Sequence, residues 1–132
     1  MAEWLAQTES LHRQLRPALP IEYQAYMRLM FSEGAHMVVL HEAAVPKAIA
    51  VYRIHQTTYC GRRFYIDDLV TIETERSRGF GAALLHWCEE EARAKGCDTF
   101  TLDSGVQRMA AHRFYFRHDM AITAFNFSKS LS

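Results

Sequence analysis

Arg76-Ser77-Arg78-Gly79-Phe80-Gly81-Ala82 stands where an apolar, strand-like run gives way to a long amphipathic helical pattern. Two glycines bracket one residue at the opening of that helix, with arginines just before them. Glycine lets the backbone come close to a ligand, and the first amides of a helix point outward with the positive end of its dipole. The stretch is therefore a candidate anion cradle. A Walker loop would need Lys-Ser/Thr after Gly81, and a dinucleotide fingerprint would need a glycine where Leu84 stands, so both patterns fail.

Outward from this loop the elements alternate. Leu5, Leu11 and Leu15 repeat with helical spacing to about Arg16, and Pro17 and Pro20 end that helix. A second helix is expected from Ile21 to about Phe31, with Tyr23, Tyr26, Met27 and Met30 on its apolar face. Strands are expected over Ala35–His41 and Ala48–Ile54, joined by a turn at Ala44-Val45-Pro46-Lys47, and over Arg63–Ile72. Helix follows from about Arg78 to Lys95, closed by Gly96, with Leu84, Cys88 and Ala92 facing the core. A short strand Thr99–Leu102, a helix Val106–Arg117 with Val106, Met109, Ala110 and Phe114 on one face, and a last strand Ala121–Lys129 complete the order. Hairpins first and crossover helices later predict an α/β (α+β) domain over 1–132, with a mixed central sheet and helices on both faces.

Composition narrows the function. The 132 residues carry 15 basic and 15 acidic side chains, so no net positive field exists to hold a nucleic acid. Three cysteines without a paired Cys-x-x-Cys motif argue against a disulfide or zinc scaffold, and no HxxxH or HExxH pattern occurs, so no metal is expected. Neither a signal-peptide pattern nor a run of membrane-spanning length is present. These features lead us to expect a cytoplasmic protein with neither nucleic-acid nor membrane partners.

The context of the loop is more specific than the loop. Arg76-x-x-Gly79-x-Gly81-Ala82 matches the Arg/Gln-x-x-Gly-x-Gly/Ala signature of the GNAT acetyltransferases. The chain resembles that superfamily from about Tyr65 to Tyr115, through Ile66-Asp67-Asp68-Leu69-Val70-Thr71, the loop and its helix, Leu102-Asp103-Ser104, and Ala111-His112-Arg113-Phe114-Tyr115. The resemblance implies a GNAT-like fold, shortened at both ends, and an acetyl-CoA-dependent N-acetyltransferase acting on a primary amine. It implies that Arg76, Ser77, Arg78, Gly79, Phe80, Gly81 and Ala82 hold the coenzyme A pyrophosphate. The backbone of Leu69, Val70 and Thr71 would meet the pantetheine arm, and the Leu69 N–H would steady the developing oxyanion. Tyr115 would protonate the leaving thiolate, with Arg108 and Ala111 on the same helical side. Without the resemblance, Tyr115 reads first as a core tyrosine, the commoner fate of a tyrosine on a helix.

An ammonium must lose a proton before it can attack. Asp67 and Asp68 sit beside the implied thioester site, and either could take that proton, pass it through water or simply attract a cationic amine. Alternation along a strand lets only one of them face the substrate, and Asp67 shares its side with Leu69 and Thr71. Where many relatives carry asparagine this chain has Arg108, and Asp119-Met120 replaces the usual Gly-Phe after the tyrosine. Shortened sheet edges make a homodimer an expectation. The rival reading is an acyl-CoA-binding or regulatory module without turnover.

Overall fold

The computed structural model describes residues 2–132. The elements are α1 (Ala2–Leu15), α2 (Tyr23–Ser32), β1 (His36–Glu42), β2 (Val45–Gln56), β3 (Arg62–Thr71), a 3₁₀ segment Glu73–Arg78, α3 (Phe80–Ala94), β4 (Thr99–Leu102) and α4 (Met109–Arg117). The strands form one sheet in the order β1-β2-β3-β4, antiparallel from β1 to β3. Compactness divides the chain between Thr101 and Leu102 into a larger and a smaller unit. No described helix is long and apolar enough to cross a membrane.

In the larger unit, alternation along the strands feeds two separate faces. Val51 packs with Leu5, Tyr23, Met27 and Ala35 on the side of α1 and α2, and Ile49 and Val70 pack with Leu11. Its neighbour Tyr52 points the other way, stacking on Phe64 at 4.5 Å and meeting Trp87 of α3 at 6.3 Å. Leu84, Leu85, Cys88 and Ala92 give α3 its buried stripe. Helices therefore cover both faces of the sheet. Truncating Ile49 or Phe64, both fully buried, to alanine would cost roughly 2–5 kcal/mol.

The hairpin turn is not where the proline suggested. Glu42 pairs with Val45, so the loop is only Ala43-Ala44, and both alanines take left-handed φ of 53° and 65°. Two such residues make the type I′ turn whose twist matches the strands. Pro46 sits inside β2, opposite His41, next to a register shift at Leu40/His41. Proline signals a turn in sequence, but a strand beside a bulge tolerates its missing N–H.

Three helices end in the same six-residue device, which sequence reveals only where glycine occupies the left-handed position. Gly34 and Gly96 close α2 and α3, with the following N–H groups of Ala35 and Cys97 returning to Met30 and Ala92. In the smaller unit Asp119 takes this position at φ 64°, its N–H bonding Phe116 O while the Met120 N–H bonds Tyr115 O. Asp119 thus does the work of the missing glycine, and the turn after Tyr115 survives its replacement. Two expectations for this unit fail. Val106 lies before α4 and is 84% exposed, and Met109 is exposed too, so Ala111, Phe114 and Tyr115 form the partly buried side instead. Residues 121–129 form no strand. Alternating hydrophobicity describes a face, but a strand also needs a hydrogen-bonded partner.

Candidate active site

The loop forms an open helix start. Ile72 ends the extended run, the 3₁₀ segment breaks at Glu75 (φ −134°, ψ 29°), and Gly79 at φ 81° turns the chain into α3. That φ lies in the left-handed region, where a Cβ costs energy through its own backbone. The first bond inside the helix is Ala83 N–H to Gly79 O at 3.1 Å. The Phe80, Gly81 and Ala82 amides therefore precede the ladder, and α3 has neither a side-chain cap nor an acid in its first turn. These N–H groups and the dipole behind them make the positive end of the site.

The arginines contribute differently from each other. Arg78 donates to Glu42 through both terminal nitrogens (2.8 and 2.7 Å), to Glu75 at 2.7 Å, and lies over the Phe80 ring. Glu75 also accepts from Lys47. Hydrogen bonds from Lys47 and Arg78 hold the Glu75 carboxyl below its usual range, and those that Arg78 donates to Glu42 and Glu75 raise Arg78. The Arg78 side chain is thus neutralised within the protein and braces the loop, while Arg76 is mostly exposed, with Glu73 4.0 Å away. α1 adds a second brace: Gln14 accepts the Glu73 N–H at 3.1 Å.

The decisive feature of β3 is a bulge. Val51 pairs with Asp68 and Tyr52 with Ile66, so Asp67 is the extra residue. A one-residue insertion reverses side-chain alternation beyond it. Ile66 pairs with Tyr52, on the α3 side, whereas Asp68 reaches His12 of α1 and Val70 packs with Leu11. Strict alternation would have put Asp67 with Leu69 and Thr71 and only one carboxylate on the substrate side. The bulge overturns both expectations, because Tyr65, Asp67 and Asp68 all line one cleft.

That cleft, of about 620 Å³, lies between the α1–α2 connection and β3 and is walled by residues 15–20, Tyr26, Met30, Tyr65, Asp67 and Asp68. Tyr23 and Met27 go to the core while Tyr26 and Met30 line the cleft, so the apolar face of α2 serves two purposes. The two carboxylates are held unequally. Asp67 Oδ2 accepts from Arg53 Nε at 2.9 Å. Asp68 uses both oxygens, Oδ1 from Arg16 Nε and Oδ2 with His12 Nε2, each at 2.7 Å. Burial would raise the Asp68 carboxyl, but the bonds from His12 and Arg16 outweigh it and hold it below its usual range. Arg16 also donates to the Asp67 carbonyl at 3.2 Å, satisfying backbone that the bulge displaces.

His12, Thr8, Arg16 and Arg53 were not foreseen as site residues. A signal existed: Leu5, Thr8, His12 and Leu15 share one helical stripe, and polar residues on an apolar stripe must find buried partners.

β4 sets off beside the start of β3, where the Asp98 N–H donates to Arg62 O at 2.7 Å. Four strand residues reach only about 13 Å, against ten residues in β3. In the smaller unit Tyr115 lies on α4, and burial raises its phenol above the usual value while Arg108 opposes the rise. Arg108 is the residue capping α4 rather than part of its helical face, so it does not continue the Ala111–Tyr115 row. His112 Nε2 donates to Gly105 O at 2.8 Å.

The Acetyltransferase (GNAT) family profile matches residues 3–120. An aminoalkylphosphonate N-acetyltransferase of Salmonella typhimurium is 35% identical over 80 residues, 61% of this chain and 50% of that protein. The aligned stretch thus spans half the length of that relative. An uncharacterized N-acetyltransferase, YhdJ, of Bacillus subtilis is 33% identical over 115 residues, 86% of this chain and 80% of that one. An aminoglycoside N-acetyltransferase solved in complex with CoA shares the fold, with a TM-score of 0.83 at 14% identity over 99% of this chain and 91% of that one. With the profile covering most of its length, this chain belongs to the GNAT acetyltransferase family.

Proposed function

We propose that the protein transfers the acetyl group of acetyl-CoA to a small primary amine, in a cytoplasmic setting. The observation that carries this reading is the start of α3, where Gly79 at φ 81° leaves three first-turn amides without a side-chain cap. An anion fits those groups, and in this family the loop position belongs to a pyrophosphate. Ser77 to Ala82 would hold it, with Arg76 adding charge from the surface. The backbone of Leu69, Val70 and Thr71, beyond the reach of β4, would meet the pantetheine arm. Arg108 and Ala111 would serve the coenzyme from α4.

The amine enters the cleft beside Asp67. Asp68 has both oxygens committed, so Asp67 is the carboxylate available to attract the ammonium and take its proton, directly or through water. The neutral nitrogen then attacks the thioester carbon. The Leu69 N–H stabilises the oxyanion; as the carbonyl re-forms, the C–S bond breaks, Tyr115 gives its proton to the thiolate, and the surplus proton left on the nitrogen passes through water to restore the phenol. A phenol raised by burial stays protonated at neutral pH, as that role requires. Arg16 and Arg53 balance the two aspartates, so the cleft suits an amine that also bears an anionic group better than a polycation. The aminoalkylphosphonate relative points to the same class.

The test is a panel of amines (aminoalkylphosphonates, amino acids, polyamines, aminoglycosides) with acetyl-CoA, following free thiol. Release with an aminoalkylphosphonate or amino acid supports the reading. Thermal stabilisation by coenzyme A without thiol release from any amine would favour the binding module instead.

A further inference from the structure

A buried chain of polar contacts links α1, α2 and β3, and counting its hydrogens fixes the state of one residue. The Thr8 hydroxyl donates to Leu5 O at 2.7 Å. A hydroxyl has one proton, so Thr8 Oγ1 must accept from the Tyr23 hydroxyl, 2.9 Å away. The Tyr23 oxygen is then left to accept, and His12 Nδ1 at 2.9 Å must be the donor. On the other side of the ring, Nε2 lies 2.7 Å from Asp68 Oδ2. An ionised carboxylate only accepts, so Nε2 carries a proton too. Four contacts need four protons, and two of them belong to His12. A neutral ring would leave one short contact between two lone pairs, inside a region where Thr8 and His12 are essentially unexposed.

The surrounding charges fit this count. Asp68 faces the ring from β3 and is itself held by Arg16 of α1. Glu9 and Arg13 act on Tyr23 from α1, Arg13 lying 5.8 Å from the ring centroid. With Asp68 clamped between His12 and Arg16, the bulge cannot rotate without breaking the chain.

We propose that His12, protonated on both ring nitrogens, is a positioning residue that clamps Asp68 to α1 and thereby turns Asp67 of the same bulge into the cleft. The kinetic part of this inference rests on the cleft being the amine site; the proton count does not.

Long-range ¹⁵N–¹H spectra of the histidine rings at pH 6 test the count in the wild-type protein, with His12 assigned by its loss in His12→Gln. Both ring nitrogens should resonate as N–H; one at the unprotonated position overturns the proposal. With an amine that the protein acetylates, His12→Gln should raise the amine KM at least tenfold and leave the acetyl-CoA KM within twofold. An unchanged amine KM, or equal rises in both, would refute the positioning role. If His12→Gln does not fold, Tyr23→Phe, which removes the proton donated to Thr8, serves for both assignment and kinetics, with a smaller rise in amine KM expected. If the wild type acetylates no amine, the proposed function fails, and the ring spectra still decide the proton count.

Discussion

Replacing Gly79 by alanine tests whether the start of α3 is the anion site. Gly79 holds φ 81° and ψ 13°, and a Cβ built there meets nothing within 4 Å. The penalty is therefore backbone strain alone, about 1–2 kcal/mol for a left-handed L-residue. If the loop stays in place, the variant loses that much stability, a fall of several degrees in Tm for a chain of this size. If the loop relaxes, the first-turn amides turn away from the phosphate. Losing one charge-assisted hydrogen bond of about 1.5–3 kcal/mol weakens coenzyme A binding by roughly 10- to 100-fold. Thermal unfolding without ligand and calorimetric titration with coenzyme A separate these routes. Gly79→Asn should recover part of either loss, because asparagine tolerates this region better. An alanine variant with both Tm and coenzyme A affinity unchanged would refute the reasoning.

Other expectations follow from single residues. Tyr115→Phe should lower kcat by about 10²–10⁴ while coenzyme A affinity holds; because burial raises this phenol, a basic limb from Tyr115 should lie above about pH 10, and a loss of rate already at pH 8 that vanishes in Tyr115→Phe would contradict the shift. Ala43-Ala44→Asn-Gly should stabilise the hairpin by about 1–2 kcal/mol in urea unfolding, since both alanines sit at positive φ. The Asp68 carboxyl is lower in the folded than in the unfolded chain, so its stabilisation is full above the unfolded value of about 4 and fades as pH falls through the folded one. Asp68→Asn should accordingly be less stable at pH 7 and lose less on acidification from pH 5 to pH 3; parallel stability curves would show that the carboxylate does not carry this dependence.

Much of this protein was legible along the chain. Helical repeats such as Leu84-Cys88-Ala92, the Lys95-Gly96 stop and the strand Thr99–Leu102 are set by local periodicity and local backbone preference, which a linear sequence records directly. The loop from Arg76 to Ala82 was legible for the same reason: its geometry is made by adjacent residues. What failed depended on partners far away in sequence. Residues 121–129 alternate without forming a strand, because pairing is not a property of one segment. The Asp119 turn was hidden because aspartate does there what glycine usually does.

The sequence by itself determined the family and singled out the loop and the residues proposed to do the chemistry, since each rests on contiguous spacing. Only the tertiary structure decided how the aspartates are used. Antiparallel register inserts Asp67 as a bulge, reverses the alternation, and brings both carboxylates to one cleft. Folding α1 onto β3 then commits Asp68 to His12 and Arg16 across more than fifty residues of chain. Such assignments come from hydrogen bonds between distant segments, and a strand's own residues cannot reveal where its partner slips by one.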